Sequence, residues 1–221
     1  YRILQLVNQT PMNLVDQTLK ILRNQLFPSR CVLCQGHGLF EIDLCQECLL
    51  ELPCAPRPKS YEHGMIYTGF AYQYPIDELI QGFKFQEQLA FGRMLAKLSI
   101  ESINKDKPKA LIPVPLHQKR LRLRGYNQSQ ELARYWGQRL DISVLSNSLF
   151  RHRETLAQTT LKAQDRLPNV WGAFVTKGKL PEHVALVDDV YTTGATSLAA
   201  ADALIASGAK RVDVWCLARV L

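Results

Sequence analysis

The sequence predicts an α/β domain, a mostly parallel sheet flanked by helices, preceded by a small cysteine-bearing module. Three observations predict it. Short apolar runs of strand length (Ala110-Leu-Ile112, Val184 to Val187, Val212 to Ala218) alternate with longer segments of helical spacing, the pattern of strand–helix–strand units. Five of the six cysteines fall between Cys31 and Cys54. Between the two regions, Leu52-Pro-Cys-Ala-Pro-Arg-Pro-Lys59 carries three prolines and makes a stiff, non-helical connector.

In chain order, residues 1–11 precede the first methionine, Met12, and are expected to be an upstream remnant. Residues 12–58 form the N-terminal helix and cysteine module, and residues 59–221 the α/β domain. Leu14, Val15, Leu19, Leu22 and Leu26 recur at helical spacing up to Phe27, and Pro28 stops them. Met65 to Tyr74 reads as a strand or hairpin. Pro75 to Phe85 and Glu87 to Asn104 read as helices, Lys109 to Pro115 as a strand and Asn127 to Leu140 as a helix. Val144 to Arg151 is strand-like, and Thr160 to Arg166 is a short helix. The chain closes with the Val184 strand, a helix over Ala195 to Ser207 capped by Gly208, and the Val212 strand.

Composition narrows the class. Among 221 residues, 47% are hydrophobic and 21% charged, which excludes wholesale disorder. No stretch of ~20 apolar residues is present, so no membrane-spanning helix is expected. The charged region Lys20 to Arg30 lacks the apolar run and cleavage site of an export signal, and a cytoplasmic protein is expected. A net charge of +7 biases it mildly towards anionic partners.

Cys31-x-x-Cys34 and Cys45-x-x-Cys48 are two identical half-sites ten residues apart. Each knuckle aims two thiolates at one ion, and together they complete a tetrahedral set that favours Zn²⁺ over iron. Four thiolates leave no open position, so the metal is expected to be structural. A matched pair of knuckles argues against a redox motif, and Cys54 and His37 are read as bystanders, with Cys216 in the core.

The stretch Val184-Ala-Leu-Val-Asp-Asp-Val-Tyr-Thr-Thr-Gly-Ala-Thr196 runs from an apolar strand through two acids into a small, hydroxyl-rich loop that opens a helix. Thr192, Thr193, Gly194, Ala195 and Thr196 can offer backbone N–H groups, hydroxyls and a helix dipole to a phosphate. Asp188 and Asp189 would repel that phosphate, so sugar hydroxyls or a bridging Mg²⁺ suit them better. A bare strand end with an ordinary N-cap explains one acid and one threonine, not the whole order. Upstream, Lys119, Arg120, Arg122 and Arg124 crowd His117 to Gly125. Arginine forks bind phosphate oxygens in pairs, although most charge runs are solvated loops. Tyr126 could stack on a base or ribose.

The acidic-pair stretch resembles the 5-phosphoribosyl-1-pyrophosphate (PRPP) signature of type I phosphoribosyltransferases, with Ala185 and Tyr191 as mild departures. Adding the paired cysteines, Phe83-Lys-Phe85, Pro113-Val-Pro115, Arg120-x-x-x-Arg124-Gly-Tyr-Asn127-Gln, Arg166 and Gly172-Ala-Phe174, the chain from Leu26 to Leu221 resembles the ComF competence-protein family and its GntX-type relatives. The resemblance implies a type I phosphoribosyltransferase-like fold. Asp188 and Asp189 would then hold the ribose hydroxyls and Mg²⁺, and Thr192 to Thr196 the 5-phosphate. Pro115, Leu116, His117 and Lys119 would hold the pyrophosphate. Arg120, Arg122, Arg124, Gly125, Tyr126 and Asn127 would form a closing loop or a DNA contact. It further implies a role in natural transformation, binding PRPP or a related phosphosugar and single-stranded DNA beside the inner-membrane uptake machinery. Two alternatives stay open: an active phosphoribosyltransferase with an unspecified acceptor, and an adaptor whose zinc module docks another competence protein such as a helicase-like translocase. Trp136, Trp171 and Trp215 are read as packing residues.

Overall fold

The computed structural model describes residues 29–39, 42–86, 88–103, 106–152 and 172–221. The helices expected over Met12 to Phe27 and Thr160 to Arg166 lie outside these residues, as do Arg166 and Trp171. The chain forms two units, Tyr1–Leu52 and Pro53–Leu221.

In the first unit, the Cys31 N–H donates to the Gly36 carbonyl and the Gln35 N–H to the Cys31 carbonyl. Gln35 turns the chain with φ at 64°. Helix α1 (Gln46–Leu50) starts on Cys45, whose Sγ accepts from the Cys48 N–H at 3.4 Å. Ile42, Leu44, Leu49 and Leu52 are the buried apolar residues of this short stretch.

The second unit opens with a hairpin, β1 (Lys59–Tyr61) and β2 (Gly64–Ala71), followed by helices α2 (Ile76–Phe85) and α3 (Leu89–Ile103). Strand β3 (Ala110–Pro113), helices α4 (Gln118–Arg124) and α5 (Gln128–Leu140) and strands β4 (Ser143–Val144) and β5 (Leu149–Arg151) follow. After β6 (Phe174–Thr176) come β7 (His183–Tyr191), helix α6 (Ala195–Ala206) and β8 (Arg211–Arg219). The six-stranded sheet has the order β1-β2-β8-β7-β3-β4 and is parallel except at the β1–β2 hairpin. Strands β5 and β6 pair separately and antiparallel.

Both faces of the large sheet are covered, which is why its strands read as continuous apolar runs. Ala110, Ile112, Val184, Leu186 and Val212 cluster with Ala199, Ala200, Ala201 and Leu204 of α6, whose methyl side chains let the helix lie close to the strands. On the other face Trp215 of β8 meets Trp136 of α5 edge-on, with ring centroids 6.3 Å apart, and both indoles are buried. Two glycines interlock α2 and α3. A Cβ on Gly92 would lie 2.6 Å from Phe83 Cζ, and one on Gly82 would lie 2.9 Å from the Phe91 ring.

At the amino ends of β7 and β8 the sheet is cinched around Asp213, which is fully buried. Its carboxylate accepts from the Met65 N–H at 2.8 Å, from Arg211 at 3.0 and 2.9 Å, and faces His183 Nε2 at 2.8 Å. A Cβ on Gly64 would sit 2.6 Å from an Asp213 oxygen, so β2 needs glycine there.

Three expectations change. The basic stretch is helical: α4 is capped by His117, which accepts from the Lys119 N–H, and is closed by Gly125 at φ 75°. It buries no residue, so periodicity had nothing to mark. The strand expected over Val144 to Arg151 is two short strands in different sheets, broken by a turn at Ser146 and Asn147. Strand β7 does not stop before the acidic pair. It runs on to Tyr191, with Asp188 opposite Cys216 and Tyr191 opposite Arg219.

Candidate ligand cleft and metal centre

The paired knuckles converge as their spacing requires. One Sγ from each of Cys31, Cys34, Cys45 and Cys48 lies within 4.8 Å of the others, and Cys34 and Cys45 approach to 3.6 Å. Four sulfurs at ~2.3 Å from a tetrahedral Zn²⁺ stand about 3.8 Å apart, so the set fits the ion. Electrostatics agree. Burial opposes ionisation of Cys31, but the N–H groups of Cys34, Cys45 and Leu33 outweigh it and bring the thiol down to about 6. Cys48 is pushed up by its hydrogen bond with Cys45 and by burial. Four such sulfurs cannot all ionise without a cation among them. None of the six cysteines is in a disulfide, and Cys216 is buried in β8.

At the carboxyl end of the sheet, where open α/β sheets bind ligands, the segment Val114 to Leu116 after β3, the end of β7 and the start of α6 line a cleft of about 700 Å³. Asp188 and Asp189 form its acidic floor. Asp188 Oδ1 accepts from the Asp189 N–H at 2.9 Å and from Ser129 Oγ at 3.2 Å. Burial first, then the Asp189 carboxylate, push the Asp188 carboxyl up to about 7, against Lys84, Ser129 and the Asp189 N–H. Asp189 Oδ1 is ion-paired with Lys84 Nζ at 2.9 Å.

Beside the acids, Thr192, Gly194, Ala195, Thr196 and Ser197 line the wall. Gly194 caps α6 in the left-handed region at φ 80°. A Cβ there would lie 2.6 Å from Tyr191 Cζ. Tyr191 therefore occupies the space that only a glycine leaves, which accounts for its standing where smaller aliphatic residues are commoner in the resemblance.

Of the expected pyrophosphate residues, Pro115 and Leu116 line the cleft, while His117 caps α4 and Lys119 lies in its first, exposed turn. Arg120 and Arg124 line the cleft and Arg122 points into solvent. Gly125, Tyr126 and Asn127 shape the chain: Asn127 caps α5, accepting from the Ser129 N–H and donating to the Val114 carbonyl. The Tyr126 hydroxyl donates to the Phe83 carbonyl, and its ring lies 5.9 Å from that of Phe83.

Four further cleft residues were given no site role from sequence, Lys84 and Phe85 having entered only as part of the family pattern. Lys84 comes from the end of α2, and Ser129 from the first turn of α5. Phe85, 62% exposed, lies under the Arg124 guanidinium at 4.6 Å. Arg151, the last residue of the stretch read as strand-like, lines the cleft from β5. It stacks on Phe174 at 5.5 Å and is held down to about 10 by burial and then by Arg120.

An acidic pair and a hydroxyl-rich, helix-opening loop at the carboxyl end of a mostly parallel sheet, in a chain with a four-cysteine unit, define an α/β protein with a polar cleft at the sheet edge. No family model matches the chain. It is 34% identical over 226 residues to Competence protein F of Haemophilus influenzae, covering 87% of this chain and 98% of that protein. It is 31% identical over 209 residues to the DNA utilization protein YhgH of Escherichia coli, covering 86% and 90%. With Competence protein ComFC of Streptococcus pneumoniae it shares 29% over 177 residues, covering 79% and 74%. The chain belongs to the competence protein F (ComF) family. Among the described residues, no helix is long and apolar enough to cross a membrane.

Proposed function

We propose that this protein serves the handling of DNA in competence, with a cleft that binds PRPP or a related phosphosugar and a basic helix that contacts single-stranded DNA. The relatives' names support the first part: they are called competence and DNA utilization proteins. The observation that carries the ligand is the juxtaposition of Asp188 and Asp189 with the Thr192–Thr196 loop in one cleft. The loop and the α6 N-terminus suit a phosphate, the carboxylates suit vicinal hydroxyls, and Lys84, Arg120 and Arg151 suit a diphosphate. The four-cysteine set would hold Zn²⁺, which supplies structural cross-linking.

The DNA contact rests on a separate observation. Helix α4 presents Arg120, Arg122 and Arg124, and Arg124 covers the exposed ring of Phe85. Cations for the backbone beside an aromatic face for a base are the elements of sequence-tolerant single-strand binding.

Calorimetric titration with PRPP tests the ligand. The wild type is expected to bind and an Asp188→Asn/Asp189→Asn variant to lose binding at least tenfold. Equal affinity in both would remove the acidic pair from the site. Pyrophosphate released from PRPP with candidate acceptors reads turnover in the same cleft.

A further inference from the structure

The phosphosugar reading brings with it an expectation of Mg²⁺ beside the acidic pair, and the side chains around the pair do not fit one. Mg²⁺ keeps several waters and takes one or two protein carboxylates beside a ligand's phosphate oxygens, so the fit turns on how Asp188 and Asp189 are already engaged. Asp188 Oδ1 is engaged by Ser129 and by the Asp189 N–H. Asp189 Oδ1 is engaged by the Lys84 ammonium at 2.9 Å. A metal ion at Asp189 would meet that ammonium as a like charge.

The backbone that carries Lys84 is held firmly in place. Its neighbour Phe83 is buried against Gly92, and the Phe83 carbonyl is bound by the Tyr126 hydroxyl. The side chains of Lys84 and Asp189 are only 19% and 13% exposed, so the pair is poorly screened by water. The same cleft is lined by Arg120, Arg124 and Arg151. Four cations thus face two carboxylates, a surplus suited to a ligand with several negative charges. Arg151 supports this from its own side, since burial and the neighbouring Arg120 weaken its hold on its proton, and a bound diphosphate would offset both.

We infer that Lys84, with Arg120 and Arg151, supplies the positive charge that a divalent cation would otherwise bring to the ligand's diphosphate, so that this protein binds PRPP without metal. The inference rests on the phosphosugar reading of the cleft. Lys84 acts as a binding residue whose ammonium moves from Asp189 to share the diphosphate.

The test is PRPP titration in buffer stripped of divalent ions over chelating resin, with no chelator in solution so that the cysteine unit keeps its metal, and again with Mg²⁺. Wild-type affinity is expected to agree within about threefold between the two conditions. Lys84→Met is expected to lose at least tenfold in the stripped buffer and to recover much of it with Mg²⁺. Lys84→Arg, keeping the charge, is expected to retain metal-free binding. Thermal unfolding of each variant separates these outcomes from misfolding. Wild-type binding that requires Mg²⁺, or a Lys84→Met variant that binds normally in stripped buffer, overturns the inference and leaves the phosphosugar reading standing. Absence of wild-type binding in both buffers overturns both.

Discussion

Replacing Gly194 with alanine is the sharpest perturbation the cleft permits, because two separable costs meet at one atom. The residue sits at φ 80°, and an L side chain held in the left-handed region costs about 1–2 kcal/mol. The new Cβ would also lie 2.6 Å from Tyr191 Cζ and 3.3 Å from Cε2, so the whole ring must swing away. Overpacking of that kind costs ~1–3 kcal/mol. Gly194→Ala is therefore expected to destabilise the α/β unit by about 2–5 kcal/mol, the sum of those two ranges. In a Tyr191→Val background the ring is gone and only the backbone cost of about 1–2 kcal/mol should remain. The double-mutant cycle should then show a coupling of ~1–3 kcal/mol. Urea unfolding followed by tryptophan emission reads it, since Trp136 and Trp215 are both buried in this unit. A Gly194→Ala cost that is equal in both backgrounds would refute the account of why Tyr191 and Gly194 occur together.

Three further outcomes are expected. The native protein should carry one Zn²⁺ per chain by elemental analysis; Cys34→Ser should lose it and Cys54→Ala keep it, and a metal-free wild type would contradict the tetrahedral reading. Stability of the ligand-free protein should fall as pH rises from ~3.9, where an unfolded aspartate titrates, to about 7, where Asp188 does. Over that window the native state holds a proton that the unfolded chain has released, so the unfolded state gains with pH; Asp188→Asn should lack this decline, and parallel pH profiles would contradict it. For single-stranded DNA, changing Arg120, Arg122 and Arg124 to glutamine should reduce the log–log salt slope by about 2, at ~0.7 per phosphate contact. Phe85→Ala should weaken binding by ~1–3 kcal/mol, about 5- to 150-fold, with the slope unchanged. If both variants alter the slope alike, Phe85 is not a stacking residue.

What could be read from sequence divides along physical lines. The cysteine knuckles, the acidic pair and the phosphate-type loop are local, so residue spacing alone brings their groups together, as the four sulfurs show. The buried strands were visible because both faces of the sheet are covered. Helix α4 was not, because it buries no side chain and leaves no apolar stripe, its ends being set by His117 and Gly125. The length of β7 was hidden because Asp188 to Tyr191 are polar or half-buried, and only pairing with β8 keeps them in the ladder. Lys84 and Arg151 enter the cleft from elements far apart in the chain, and nothing in their immediate neighbourhoods points to an anion. The Phe83-Lys84-Phe85 triplet was noticeable only as a component of a family pattern. Its physical sense emerges once Phe83 is seen filling the slot at Gly92 and Lys84 reaching Asp189.

The Asp213 knot at the amino ends of β2, β7 and β8 has a bearing on how this molecule can change over time. Its donors, Met65, His183 and Arg211, come from the edge of the sheet opposite the cleft, so strand register is fixed by residues that touch no ligand. Every group at the other edge is thereby relieved of holding the strands together. A lineage could exchange Lys84, Arg151 or the tip of the Thr192–Thr196 loop, altering the lining of the cleft, while inheriting the same register unaltered. The reverse does not apply: a change at Asp213 would leave the Met65 N–H, His183 and one side of the Arg211 guanidinium without their shared acceptor, disturbing the sheet before any ligand is met. Innovation and heritable integrity are thus assigned to opposite ends of the same nine-residue strands, β7 and β8.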